Sequence, residues 1–319
     1  MPVMTRFTLV FLLTLSLVCA AADIRLGIIG TDTSHCIAFI KILNDASASN
    51  HVPGARIVAA YKGGSADLKS SASRVEGYAT ELSTKWGVEI VPDIASLCSK
   101  VDGILLESVD GRKHLEQVRQ AVACGKPMFI DKPLASTLED AREIARITKQ
   151  AGVPWFSSSS LRWSPLVTSV KFADNIGVTT WGPGPMEPSH YLDLSWYGIH
   201  PVEMLYTLMG TGCEEVTRVS VPNDPGSDVV VGRWKDGRLG TVRVLRPYGP
   251  YGAIVFRPKL AEQSTEKAGV PYNNMLAQIV QFFRDGKPPV SNEETLELFA
   301  FMDAAQRSKE AGGKAVRLR

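Results

Sequence analysis

The chain has 319 residues, of which 45% are hydrophobic and 21% charged, and its formal net charge is +2. That balance excludes a disordered chain and offers no charge excess to recruit nucleic acid or an acidic surface. The length suits one large domain or two ordinary ones.

The first residues read as a targeting segment. Arg6 precedes an almost unbroken apolar run from Phe7 to Cys19, and Ala20, Ala21 and Ala22 supply small residues before Asp23. The run is too short for a comfortable membrane span, so 1–22 is predicted to be a Sec-type signal peptide. A periplasmic or secreted protein with no stable span after cleavage is expected. Val18 is too bulky for lipoprotein processing at Cys19. No Arg-Arg pair precedes the run, so the chain is expected to cross unfolded and to arrive without a preloaded cofactor. Loss of Arg6 lowers the net charge to +1. Cys36, Cys98, Cys124 and Cys213 remain; none has CxxC spacing. An oxidising compartment permits disulfides, but free buried thiols are expected.

Strand and helix patterns then alternate. Ile24 to Ile29 is a predicted strand, Ser34 to Leu43 a helix buried on a wide face, and Arg56 to Tyr61 a strand. Tyr78 to Trp86 is helical, and Glu89 to Val91 and Gly103 to Glu107 are strands. His114 to Cys124 is a helix ended by Gly125, and Pro127 to Ile130 a strand. Ser136 and Glu139 form a capping box for a helix reaching Gln150, followed by strand-like Val153 to Ser157. Strands separated by helices predict an α/β domain with a Rossmann-type, doubly wound parallel sheet over 23–156. The rhythm then changes. Ile199 to Met209, Asn274 to Arg284 and Glu293 to Ala311 are helical. Asp228 to Trp234 and Leu239 to Leu245 are strands joined by a hairpin turn. An α+β domain with a mixed, largely antiparallel sheet is predicted for 157–319, with its last helices packing back on the first domain.

Chemistry-bearing residues punctuate this framework. A Rossmann turn cradles a pyrophosphate at a helix N-terminus, with glycines allowing close approach. Here it reads Gly30-Thr31-Asp32-Thr33-Ser34-His35. Asp32 and His35 stand at the second and third glycine positions of G-x-G-x-x-G, where a carboxylate repels phosphate. Asp32 also suits a helix N-cap. Lys62 ends the second strand, where it either meets a 2′-phosphate or is a surface lysine. Asp131-Lys132-Pro133 follows a buried strand at the sheet edge where ligands bind. A lysine there can polarise a carbonyl or act as acid or base. His200 and Glu203 share a helix face and form a workable proton-transfer pair, or serve as capping and core groups. The histidines are scattered, and no metal-ligand spacing is evident.

Together these segments resemble the Gfo/Idh/MocA oxidoreductase family over nearly the whole chain after residue 22. Asp131-Lys132-Pro133 is similar to the family's E-K-P, and Gly198 to Glu203 to its G-x-H-x-x-D. Arg162-Trp163-Ser164-Pro165 resembles the segment opening the second domain. Val101-Asp102-Gly103, His114, Gly125-Lys126-Pro127 and the tail from Phe282 to Leu318 also match. The resemblance implies NAD or NADP, a sugar or polyol substrate, and a homo-oligomer formed through the second-domain sheet. By the same resemblance, Lys132 sits beside the substrate carbinol, His200 acts as acid or base, and Glu203 orients or shares that proton. Asp131, Arg162 and His190 are candidate substrate contacts. Gly30, Thr31, Asp32, Thr33, Ser34, His35, Lys62 and Ser108 are candidate cofactor contacts. Two departures stand out: the altered phosphate turn, and Ser108-Val109-Asp110-Gly111 where the family has T-P-N.

Three functions are compatible with this sequence. The first is NAD(P)-dependent oxidation or reduction of a sugar, polyol or derivative. The second is a dinucleotide-independent lyase, hydratase or isomerase acting on a keto-sugar or glycoside, to which Asp32 and His35 could add acid–base or metal-ligand groups. The third is a non-catalytic carbohydrate-binding protein.

Overall fold

The computed structural model describes residues 22–221 and 228–319; the predicted signal segment, Ala22 apart, lies outside them. Six parallel strands are β1 (Ile24–Ile29), β2 (Ala55–Tyr61), β3 (Glu89–Val91), β4 (Gly103–Leu106), β5 (Met128–Asp131) and β6 (Trp155–Ser158), in the order β3-β2-β1-β4-β5-β6. Strands covered on both faces need continuous apolar runs. All of β4, β5 and β6 and the last four residues of β1 are buried. The strand order reverses between β1 and β4, so the crevice for a ligand opens where their carboxyl ends diverge.

Helix α1 (Ser34–Asn44) buries Cys36, Phe39, Ile40, Ile42 and Leu43 against this sheet. Its cap is Thr33, whose side chain accepts from the His35 N–H. Asp32 therefore does not cap the helix, and its side chain turns inward instead. The helix Leu138–Ala151 is likewise capped by Thr137, accepting from the Asp140 N–H at 3.0 Å. Ser136 is not the cap; its carbonyl accepts from the Leu192 N–H. Between β2 and α3 (Val75–Trp86) lies the short helix α2 (Lys69–Ala72).

The second sheet contains β7 (Gly177–Pro183), β8 (Cys213–Ser220), β9 (Asp228–Trp234), β10 (Leu239–Leu245), β11 (Gly252–Arg257), β12 (Leu260–Thr265) and β13 (Val316–Arg317). Their order is β12-β11-β7-β10-β9-β8-β13, parallel at β7–β10 and antiparallel at the other pairings. The expected mixed, largely antiparallel sheet and its β9–β10 hairpin are present. The helix Asn292–Glu310 packs on β8 and also on β6 and the helix Leu138–Ala151. One apolar cluster consequently runs from Ile29 and Leu106 through Leu205 to Phe301.

Free thiols were expected at all four cysteines. The structure instead joins Cys98 to Cys124 in a disulfide, with Cα atoms 5.4 Å apart across a sequence separation of 26. Supersecondary packing brings together two helix ends that spacing alone does not connect. Cys36 and Cys213 are free and buried. Among the described residues no helix is long and apolar enough to cross a membrane.

Candidate active site

The Gly30 turn is sealed by its own chain. Gly30 has φ +100°, and a Cβ there would lie 2.4 Å from the Ser108 backbone nitrogen, so only glycine admits the close approach of the β1 and β4 ends. The Thr31 N–H donates to the Lys62 carbonyl, and its hydroxyl to the Val75 carbonyl. The Asp32 carboxylate accepts from the Ser71 hydroxyl at 2.6 Å and the Val109 N–H at 3.1 Å. Thr31 and Asp32 are both 0% exposed. The segment between β2 and α3 thus packs on the Thr31–Asp32 half of the turn, while its Leu68, Lys69, Ser70, Ser73 and Arg74 line a cavity with Thr33, Ser34 and His35. Burial raises the Asp32 pKa above its ordinary value, yet a carboxyl group still fills the place of the second glycine. These residues do not fit a dinucleotide laid across the turn.

The other predicted cofactor contacts divide between surface and core. Lys62 pairs with Glu76 at 2.8 Å on the surface, so its side chain does not reach the crevice. Ser108 is buried; its hydroxyl accepts from Gln117 and its carbonyl bonds His114. Thr33, Ser34 and His35 instead border a cavity of about 460 Å³, together with Lys132, Trp196 and Tyr197.

Lys132 emerges from β5 into this cavity, its Nζ 5.2 Å from the centre of the Tyr197 ring. Burial lowers its pKa from the usual lysine range, while the charges of Asp131 and Glu107 pull it back up. Asp131 turns the other way. Its Oδ2 lies 2.7 Å from His35 Nδ1, and Glu107 Oε2 lies 4.0 Å from the same nitrogen. Burial pushes the Glu107 carboxyl well above its usual range, with the Asp131 charge adding to that. Burial pushes Asp131 up, but the His35 charge and hydrogen bond, joined by the charge and N–H of Lys132, leave it lowered.

His200 is 8% exposed, and its ring lies 5.7 Å from that of Tyr197. Tyr197 thus contacts both Lys132 and His200. The predicted His200–Glu203 pair is not in direct contact. Ser159 links them: its hydroxyl meets His200 Nδ1 at 2.7 Å, while its N–H donates to Glu203 Oε2 at 2.7 Å. Glu203 also accepts from the Ser158 hydroxyl and from Arg162 Nε. Arg162 spends its remaining charge on Glu294 at 2.5 Å. It borders a different hollow, beside Tyr206, and so neutralises Glu203 rather than reaching Lys132. His190 is held by Asp110 at 3.1 Å and stacked on Trp196, behind the cavity wall. Burial, followed by the charges of Lys132 and His35, holds His200 well below the ordinary histidine pKa.

The cavity residues that sequence reasoning missed include the aromatic Trp196, Tyr197 and Tyr248 from the second half of the chain and Lys69 and Arg74 from the first. Glu107 was missed as well. Its only sequence signal is a charged residue directly after the fully buried β4.

Residues 24–158 match the family model described as "Oxidoreductase family, NAD-binding Rossmann fold" (GFO_IDH_MocA). A 1,5-anhydro-D-fructose reductase from Ensifer adhaerens is 36% identical over 95 residues, covering 30% of this chain and 28% of the relative. The chain's match therefore spans under a third of that curated relative. Among solved structures, a probable dehydrogenase from Thermotoga maritima superposes with TM-score 0.72 at 23% identity, covering 92% of this chain and 99% of the other. A myo-inositol dehydrogenase from Lactobacillus casei, solved with NAD(H) and myo-inositol, superposes with TM-score 0.73 at 17% identity, covering 93% and 97%. At these identities the superpositions establish the fold alone. The first half of the chain thus matches the Gfo/Idh/MocA oxidoreductase model, and the whole two-sheet fold is shared with these dehydrogenase structures.

Proposed function

We propose that the protein is an enzyme acting outside the cytoplasm on a sugar, polyol or sugar derivative, by proton transfer at a carbinol or carbonyl and without a dinucleotide over the Gly30 turn. The observation that carries this reading is the contrast between two regions of one crevice. The turn is closed at Asp32 by Ser71 and Val109, while Thr33 to His35 and Lys132 open on a cavity with His200 behind Tyr197. The Lys132 ammonium can polarise a substrate oxygen and stabilise negative charge developing on it. His200, neutral at pH 7, can accept a proton. Its Nδ1 is held by Ser159, which leaves Nε2 as the nitrogen free to exchange a proton. Trp196, Tyr197 and Tyr248 supply flat apolar faces for the C–H surface of a sugar ring. The apolar run before Asp23 and the Cys98–Cys124 disulfide support an oxidising location. Exposed Val219, Leu239, Phe256 and Leu260 on the second sheet support a homo-oligomer.

A second reading is an NAD(P)-dependent sugar or polyol oxidoreductase. It is favoured by the match of residues 24–158 to an NAD-binding family. Incubating purified protein with keto-sugars, glycosides and polyols, with and without NAD(P), separates the two. Turnover without nucleotide supports the proposal. Turnover only with NAD(P), accompanied by calorimetric binding of NADH, replaces it with the second reading. Sugar binding without turnover, unchanged in Lys132→Ala/His200→Ala, replaces both with a carbohydrate-binding protein.

A further inference from the structure

His35, Glu107 and Asp131 come from the start of α1 and the ends of β4 and β5. Their nearest ligand-type atoms all lie within 4.8 Å of one another. His35 Nδ1 stands between the two carboxylates, 2.7 Å from Asp131 Oδ2 and 4.0 Å from Glu107 Oε2. Both Glu107 oxygens and Asp131 Oδ1 are buried with no hydrogen-bond partner, and Glu107 is 0% exposed. Buried carboxylate oxygens are almost always hydrogen-bonded, so three orphaned oxygens on two neighbouring carboxylates require an explanation. Lys132, whose charge acts on both carboxylates, forms no ion pair within 4.0 Å among the described residues and stands against Tyr197. His35 itself is fixed, stacked on Phe39 at 5.3 Å and edge-on to Tyr272 at 5.1 Å.

We propose that His35, Glu107 and Asp131 bind one divalent first-row cation, of the manganese, iron or zinc class, at the inner wall of the cavity. One imidazole nitrogen and two carboxylates suit those ions. Two carboxylates also neutralise the ion's double charge. Ligand bonds of about 2.1 Å hold ligand atoms at most about 4.2 Å apart, so binding requires the carboxylates to shift, closing the spread and opening the 2.7 Å contact of Asp131 with His35. Three protein ligands leave coordination positions open, and His35 borders the cavity, so those positions face the space beside Lys132. A cation there would offer a Lewis-acid site to a hydroxyl or carbonyl oxygen held by Lys132. The binding claim stands whether or not the proposed turnover does.

The test uses the full-length purified protein, stripped with chelator, shown folded by circular dichroism, and then titrated separately with Mn²⁺ and Zn²⁺. Calorimetry, elemental analysis and melting temperature are the readouts. One equivalent of either ion bound, with a rise in melting temperature, is expected. Glu107→Gln and His35→Gln, each checked for native circular dichroism, are expected to lose stoichiometric binding. Should a variant fail to fold, electron paramagnetic resonance of the Mn²⁺-loaded parent with ¹⁵N-labelled histidine provides the second measurement, and a nitrogen coupling is expected. A folded parent that binds neither ion would overturn the proposal. So would binding that survives both folded variants, or Mn²⁺ bound without a nitrogen ligand.

Discussion

Replacing Asp32 with glycine restores the residue type that a phosphate turn uses and tests whether this turn has been rebuilt as structure. Asp32→Gly removes the acceptor for the Ser71 hydroxyl at 2.6 Å and the Val109 N–H at 3.1 Å. Ser71 is 0% exposed, so its hydroxyl loses a partner that water cannot replace. An unmet buried donor costs about 1–3 kcal/mol, and the partly buried Val109 N–H belongs at the low end. Glycine adds about 0.4–1 kcal/mol through the unfolded chain. Relief of the buried carboxyl, whose pKa burial has raised, returns part of this. The net loss is about 3 kcal/mol, which lowers the melting temperature by roughly 5 °C for a chain of this size. Asp32→Asn keeps an oxygen for Val109 and should lose less than half as much. Urea denaturation measures the stability, and NADH fluorescence titration of the same samples reads cofactor binding. An Asp32→Gly protein as stable as its parent, and binding NADH tightly, would refute the view that the turn is sealed by structural hydrogen bonds.

Further expectations concern the site and its frame. Lys132→Met and His200→Gln should each lower kcat by about 10²–10⁴-fold, the usual contribution of a proton-transfer group, with near-native melting curves. Gly30→Ala should destabilise by at least about 2 kcal/mol from its positive φ alone, and by more because the new Cβ meets Ser108; denaturant titration reads it. Asp228 is driven up by burial but held down to about 2, from 3.8, by hydrogen bonds and charge from Arg218. The folded pKa is therefore the lower one. Its stabilisation, about 2 kcal/mol, is fully present above pH 3.8 and lost as pH falls toward about 2. Asp228→Asn should flatten that part of the acid limb in denaturation midpoints measured against pH. Removing the Cys98–Cys124 bridge by a double serine variant should cost roughly 3.5 kcal/mol, from the entropy of a loop with separation 26; a melting temperature unchanged from the parent would contradict this.

The framework was legible because parallel strands must be apolar throughout. Leu26 to Ile29, Gly103 to Leu106 and Met128 to Ile130 announce themselves in any window. The edge strands did not. β12 exposes most of its residues, and a strand packed on little carries little pattern. Helix caps were misplaced by one residue at Asp32 and by one at Ser136. Ser, Thr and Asp are interchangeable as cap types, and backbone geometry chooses among them.

The sequence by itself determined the two-sheet architecture, the position of Lys132 at a strand end, and the presence of an acidic residue where a phosphate turn usually has glycine. Each follows from local periodicity or from the order of short motifs. Only the tertiary structure decided what Asp32 does, that Ser159 joins His200 to Glu203, and that Arg162 neutralises Glu203 away from the cavity. It also decided that His35 and Asp131, 96 residues apart, meet over Glu107. These are contacts between strand ends and helix starts brought to one sheet edge by crossover connections. Linear spacing therefore carries no trace of them, and burial alone turns ordinary carboxylates into groups that need a partner.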